Sequence, residues 1–569
     1  MVDKILVREY LSSLKEDAEL DNIFVLLLES MGFEIIMTPK ESKGQSQYGK
    51  DIVAVGKDEN EKKYRWYFEL KGFDQKDINI NTIAGSDRVF QSLIEAKFTK
   101  FDRVGNKKFD KLPIKVVIVH NGITDPKFQP TFKGIVSQYF KEDEFEDWDI
   151  YRLADYFSEH LFNAYIFTNE VNANLFKRLL IFLSVADYDF LDLETLLQNF
   201  YLEYTDKQNE RQFRKLFSSI NMVMMMIWHY SNQADNLTPA KYAINLSILK
   251  TWAFILKLEK EGSKKFQNSF SKLIFTQLQF NDKYFEKTFE VANSQNGLFM
   301  KAGFSFESMA FPMRAFEYLD GLIYHFKANN AYCHDSEDLI NRQKSQKGLL
   351  IQYVINNKNG CQKPILDVHL IPIHHLVKFF LDCSEITQDE VSFLINLILN
   401  LIEQIMVRKR TKGVFPFASS NLEMLIRLEA TGTKHIDYPD SSSLLIAMLF
   451  EYMAIFNLKM LFEGTSDNFT KELDLQIAQP DFETYPDFEE RLFSNHLNNE
   501  YFVDIMSVNS TDFDLFRENR KNIRKENYPF RTAKVGFGFL ITLTQSFYKN
   551  EPFPEEWREW FDRVNIAFS

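Results

Sequence analysis

Two patterns of apolar and polar positions divide the chain. Before about residue 160, short apolar runs alternate with helical periods. After about Asn163, the helical period takes over. In the first part, Leu20, Ile23, Phe24, Leu27 and Leu28 recur at helical spacing within residues 3–31, and Gly32 marks the stop. Phe33 to Met37 reads as the first strand. Ile52 to Val55 is a short apolar run, and Tyr64 to Lys71 alternates. Because successive side chains of a strand point to opposite sides, Tyr64, Trp66, Phe68 and Leu70 share one face, and Arg65, Tyr67, Glu69 and Lys71 the other. The polar turn Lys57 to Lys63 joins the two runs as a hairpin, which brings Asp51, at the mouth of the earlier strand, beside Glu69. A helix is expected over about Gly85 to Phe101 and a buried strand over Leu112 to His120. Trp148 onward begins as a strand and turns into a helix. Residues 1–162 therefore predict an α/β domain, a mixed sheet flanked by helices.

The remainder predicts an all-α region. Helical stretches run over 171–186, 191–204, 207–232, 239–260, 264–279, 386–407, 421–430 and 442–462, with no steady repeat between them. Met222 to Trp228 is too short to cross a bilayer. Val391 to Val407 approaches that length, but Asn396, Asn400, Glu403 and Gln404 interrupt it, so a buried helix or helix–helix interface is the preferred reading. The segment 463–490, with Gly464, Pro480 and Pro486 among acidic residues, reads as a long loop or linker. It divides a helical domain, 163–462, from a C-terminal helical subdomain, 463–569.

Composition narrows the function classes. With 45% hydrophobic residues and a mean hydropathy of −0.28, the chain is that of an ordinary globular protein. The 56 Phe point to aromatic packing between helices. A net charge of −13 argues against a surface coated for nucleic acid, so such contacts would depend on local basic patches. Three cysteines, Cys333, Cys361 and Cys383, suit a reducing compartment. No signal-peptide core opens the sequence, and a cytoplasmic location without a membrane is expected.

The hairpin carries the candidate chemistry. Two carboxylates converging at one point suit a hard divalent cation, which takes a few oxygen ligands and keeps several waters. A lysine beside them can position the attacking water and offset charge developing on a phosphorane. An apolar helix, a strand, Asp51 opening a second strand and Glu69-Leu70-Lys71 ending a third resemble the PD-(D/E)xK nuclease superfamily, most closely its Mrr-type and related restriction and defence nucleases. Lys50 stands where the motif's proline would be. The resemblance covers roughly the first 160 residues. It implies a restriction-endonuclease-like α/β/α core and Mg²⁺, with Mn²⁺ able to stand in, held by Asp51 and Glu69, with Lys71 positioning the water. It further implies a first-helix carboxylate at the metal, from Glu19, Asp21 or Glu29; Asp21, about three turns before Gly32, is chosen. A glutamine on the helix after the Glu-x-Lys strand nominates Gln91, against the plainer reading of an exposed helix amide.

Basic residues supply candidate nucleic-acid contacts. Lys43 and Lys50 lie in the polar loop 38–50, whose alternative is a solvated connection. Arg517, Arg520, Lys521, Arg524 and Lys525 recur at spacings that line a helix face, with Arg408-Lys409-Arg410 and Lys412 as a shorter cluster. The alternatives are solvated faces or docking sites for an acidic partner. Half the histidines crowd near the cysteines between 325 and 383, but paired zinc-ligand spacing is missing, so scattered core thiols and surface imidazoles are preferred. The sequence is therefore expected to encode a Mg²⁺-dependent endonuclease acting on DNA, with RNA left open. DNA as the substrate, a second defence-system protein as partner and an antiphage or anti-plasmid role are what the resemblance implies; a homo-oligomer is expected because a double-strand break needs two such centres. The alternative is a catalytically inert scaffold that binds nucleic acid or a partner.

Overall fold

The computed structural model describes residues 7–8, 11–12, 14, 16, 20–38, 50–72, 77–84, 89–101, 109–160, 170–183, 185, 188–333, 335–383, 385–523 and 530–561. The chain divides into two compact units, Met1–Ser247 and Ile248–Ser569.

In the first unit, helix α1 (Asp21–Ser30) precedes strands β1 (Glu34–Met37), β2 (Ile52–Lys57) and β3 (Lys63–Lys71). Helices α2 (Ile80–Ala84) and α3 (Val89–Phe98) lead to β4 (Ile114–His120), and α4 (Gln129–Tyr139) leads to β5 (Phe145–Trp148). The sheet runs β1-β2-β3-β4-β5, antiparallel from β1 to β3 and parallel from β3 to β5. Gly32, at φ +90°, ends the turn after α1, a backbone conformation that costs glycine little. Asp149 caps α5 (Ile150–Phe157) by accepting from the N–H groups of Tyr151 and Arg152.

The alternation read from the sequence sorts the sheet into two faces. Trp66 and Phe68 stack against Phe24, Phe33 and Trp148 on one side, with ring centroids 5.2–6.2 Å apart. Gly56 is required there, because a Cβ at that position would lie 2.3 Å from the Phe33 ring. On the other side Val53, Val55, Tyr67, Val116 and Ile118 bury themselves against α2, α3 and α4. Helices α6 (Glu170–Phe182), α7 (Leu191–Lys207) and α8 (Glu210–Gln233) belong to this unit, and α8 packs against α1.

Helix α9 (Thr238–Lys257) leads into the second unit, which is built of α10 (Lys264–Ala292), α11 (Glu307–Asn330), α12 (Ser336–Asn356), α13 (Leu370–Asp382), α14 (Gln388–Lys412), α15 (Glu423–Thr431), α16 (Leu444–Ile455), α17 (Lys459–Thr470), α18 (Phe513–Asn522) and α19 (Phe539–Tyr548). A capping box between Thr387 and Glu390 starts α14, and Gly413 at φ +71° ends it. By length and composition α14 could cross a membrane. Its face of Val391, Leu394, Ile398, Leu401 and Ile405 lies instead in the core, with α13 and α16.

The structure departs from several details of these expectations. The later region is mainly helical, as expected, with one two-stranded sheet: β6 (Gln476–Pro480) pairs antiparallel with β7 (Phe502–Ser507), so the segment read as a linker over 463–490 carries the end of α17 and a strand. The helix expected over 442–462 breaks after Ile455, where Asn457 adopts φ +55° before α17 begins. The boundary drawn at 462/463 falls inside α17, whose Phe462 and Phe469 share one core with α16. The boundary at 162/163 lies among residues outside the described ones, and helices α6 to α8 group with the sheet rather than with the later helices.

Candidate active site

The β2–β3 register is Ile52 opposite Phe68, which brings Asp51 to the level of Glu69. β3 grips Asp51 twice. Its N–H donates to Phe68 O at 2.9 Å, and its Oδ2 accepts from the Leu70 N–H at 2.8 Å. Two residues after Glu69 on the same face, Lys71 sets its Nζ 3.3 Å from Glu69 Oε1. Both are buried, at 5% and 8% exposure.

A further carboxylate completes the group. Glu16 Oε1 lies 3.2 Å from Lys71 Nζ. Asn121, fully buried just beyond β4, holds that segment in position: its Nδ2 donates to the carbonyls of Leu11 and, at 2.8 Å, Leu14. Glu16 was not among the first-helix candidates. It sits in a charged run whose placement depends on an amide more than a hundred residues away, so no local pattern marks it. Asp21, in the first turn of α1, accepts from the neighbouring Asn22 N–H at 2.7 Å, and its charge is felt at Asp51. Glu29 stands at the opposite end of α1, and Glu19 lies outside the described residues.

Burial and like charge act together here. Asp51 is pushed up to about 7, first by burial and then by the Glu69 charge; the Leu70 N–H and Lys71 pull it back only partly. Glu69 is also raised, mainly by burial. Burial works against the charge of Lys71, yet Glu69, Glu16 and Asp51 outweigh it and hold the ammonium well above its ordinary range. Lys71 is therefore a fixed cation, with no proton-accepting role near neutral pH.

The remaining nominated residues are placed differently. Gln91 is exposed and gives its amide to Glu95 Oε1 at 2.7 Å; its neighbour Ser92 is the α3 residue that hydrogen-bonds Glu69. Lys50 is buried rather than offered to a phosphate backbone. Its Nζ sits 5.1 Å from the centre of the Tyr67 ring and donates to Glu95 O, and burial lowers it to about 8. Lys43 lies outside the described residues, as do Arg524 and Lys525. Two further members of the C-terminal cluster turn inward. Arg517 Nε donates to Ala454 O at 2.8 Å, and buried Arg520 donates to Ser507 O at 2.7 Å with Glu451 3.7 Å away. Lys521 alone of the described members is exposed. Among the histidines, His375 bridges Asp320 at 2.6 Å and Gln545 at 2.8 Å, and His374 meets the Tyr452 hydroxyl at 2.9 Å.

Among the described residues no three His, Cys, Asp or Glu side chains converge to enclose an ion. Asp51 and Glu69 nevertheless form a donor set of the right chemistry for Mg²⁺. They are hard oxygens whose mutual repulsion a cation would relieve, and Mg²⁺ is usually held by one or two carboxylates with water and substrate phosphate. Comparison with known protein families, with curated proteins and with solved structures gave no match for the chain.

Proposed function

We propose that the first unit is a Mg²⁺-dependent endonuclease of PD-(D/E)xK type acting on DNA. The observation that carries this reading is that Asp51, Glu69 and Lys71 meet at one buried end of the paired β2 and β3 strands, where Glu69 and Glu16 flank a single ammonium. Asp51 and Glu69 would hold the cation, which supplies electrophilic assistance to the phosphodiester. Lys71, charged and aimed by two carboxylates, would orient the attacking water and offset charge on the pentacovalent phosphorus. Glu16 would fix the ammonium, and Ser92 would orient Glu69. The grip of Leu70 N–H on Asp51 keeps one oxygen committed and leaves the other for the cation. Free thiols suit action in the cytoplasm, and a defence role with a second protein belongs to the same proposal.

A second reading, an inert nuclease-like scaffold, draws on the lack of a third protein ligand among the described residues. Supercoiled plasmid with Mg²⁺ or Mn²⁺ separates the two. Native protein should cut it, and Asp51→Asn, Glu69→Gln and Lys71→Met should each lose at least about a hundredfold in rate. Calorimetry should show Mn²⁺ binding lost in the two carboxamide variants and kept in Lys71→Met. Cutting that survives all three substitutions sinks the assignment.

A further inference from the structure

The second unit contains a cavity of about 450 Å³ that the nuclease reading does not use. One wall is the C-terminal end of α14, and the facing wall is the first turns of α11. The segments around Phe299 and Lys363 close the rest. Its size falls within the range of sites for drug-sized ligands, which combine apolar walls with a few fixed polar groups.

The basic cluster 408–412 resolves into two sets here. Arg408 and Lys412, one turn apart, line the cavity together, while Lys409 pairs elsewhere with Glu472. The two lining cations share one carboxylate: Glu429 lies 3.1 Å from Arg408 Nη2 and 3.3 Å from Lys412 Nζ, and it also accepts from Ser308 Oγ at 2.9 Å. Arg408 is largely buried, and its Nε has no hydrogen-bond partner among the described residues. Lys363 adds a third cation at the rim. Glu429 sits behind the lining; the carboxylate that lines the cavity, Glu307, is already committed to Arg314 at 2.5 Å and to the Met300 N–H at 2.8 Å. Positive charge therefore exceeds negative at this end of the cavity.

The other end is aromatic. Phe299 and Phe311 meet edge to face with centroids 5.8 Å apart, and Phe299 is 45% exposed at the opening. Phe299 offers a planar guest its ring, and Phe311, 3% exposed, backs it from the core. Asn296, Asn359 and Gln404 add amides able to read a ring's polar rim. A free anion such as sulfate would leave the aromatic wall uncovered, and an uncharged ring would leave the cations unmatched.

We propose that this cavity binds a small phosphorylated molecule carrying a planar ring, of mononucleotide size. Its phosphate faces Arg408, Lys412 and Lys363, and its ring lies against Phe299, which Phe311 backs. The inference stands apart from the nuclease reading. The test is calorimetric titration of the full chain at low salt, in EDTA so that the carboxylate pair in the first unit takes no part. The probes are ATP, the four ribonucleoside monophosphates, adenosine and inorganic phosphate. At least one nucleotide should bind below about 1 mM, with adenosine and phosphate each weaker by about tenfold or more. Exposed Lys363→Glu and buried Arg408→Gln should each weaken that nucleotide by at least about tenfold, and a retained melting transition shows that the variants fold. Silence from every nucleotide overturns the proposal. So does affinity unchanged in both variants, or phosphate binding as tightly as the nucleotides.

Discussion

Charge at Asp51 is the residue-scale property most open to measurement. Its carboxyl is raised to about 7 in the metal-free chain, so its folded form holds a proton that the unfolded chain has released once the pH passes the ordinary carboxylate range. The contribution to stability is fully present below about pH 4 and declines as pH rises to about 7. Asp51→Asn keeps an acceptor for the Leu70 N–H and removes the titration. Without metal, the variant's stability advantage should be absent near pH 4, grow as pH rises and level off above about pH 7. Urea melts across that range would show it, and a constant offset at every pH would refute it. Affinity of the native chain for Mn²⁺ should fall over the same window in acid, since a proton and the cation compete for one carboxylate.

At the scale of elements, the hairpin was legible because its cues are local. Alternation from Tyr64 to Lys71 fixed both the register and the face, and the polar turn fixed the pairing. Helix phase was less so: Gln91 and Ser92 differ by one position, and that difference decides which of them meets Glu69. In α18 the charge spacing was read as one helix face offered to nucleic acid, yet Arg520 is buried while Lys521 is exposed. The stripe Phe513, Phe516, Arg520 has the three- to four-residue step of a buried face, and reading the aromatics first would have turned Arg520 inward. β6 and β7 went unseen because Pro480 and acidic neighbours masked a short edge pair. Glu16 and Asn121 had no sequence signal at all, since their partners lie far along the chain. Asn121→Ala should remove a side-chain donor from the Leu11 and Leu14 carbonyls, lower stability by about 1–3 kcal/mol, and slow cleavage by detaching Glu16 from Lys71. Equilibrium unfolding and the plasmid assay measure the two effects, and unchanged cleavage would show that Glu16 is dispensable.

For the whole molecule, the division into a sheet-bearing unit and a mainly helical one separates candidate chemistry from candidate ligand recognition. Breaking both strands of a duplex takes two centres, and each chain has one Asp51–Glu69–Lys71 set, so symmetric self-association is the expected route. Sedimentation at working concentration should give a particle of twice 67.2 kDa, and plasmid should pass to linear product without accumulating nicked circles. A single-chain mass with nicked circles as the end product would mean that each chain acts alone.

Asn121 has a consequence in time as well as in space. A chain made from its N-terminus exposes Glu16, Asp51, Glu69 and Lys71 well before Asn121 is synthesised. Until that amide arrives, the early segment has lost its two anchoring carbonyl contacts and Lys71 lacks one of its two partners. A chain truncated before β4 is complete therefore carries Glu16, Asp51, Glu69 and Lys71 but lacks the amide that anchors the segment leading to Glu16.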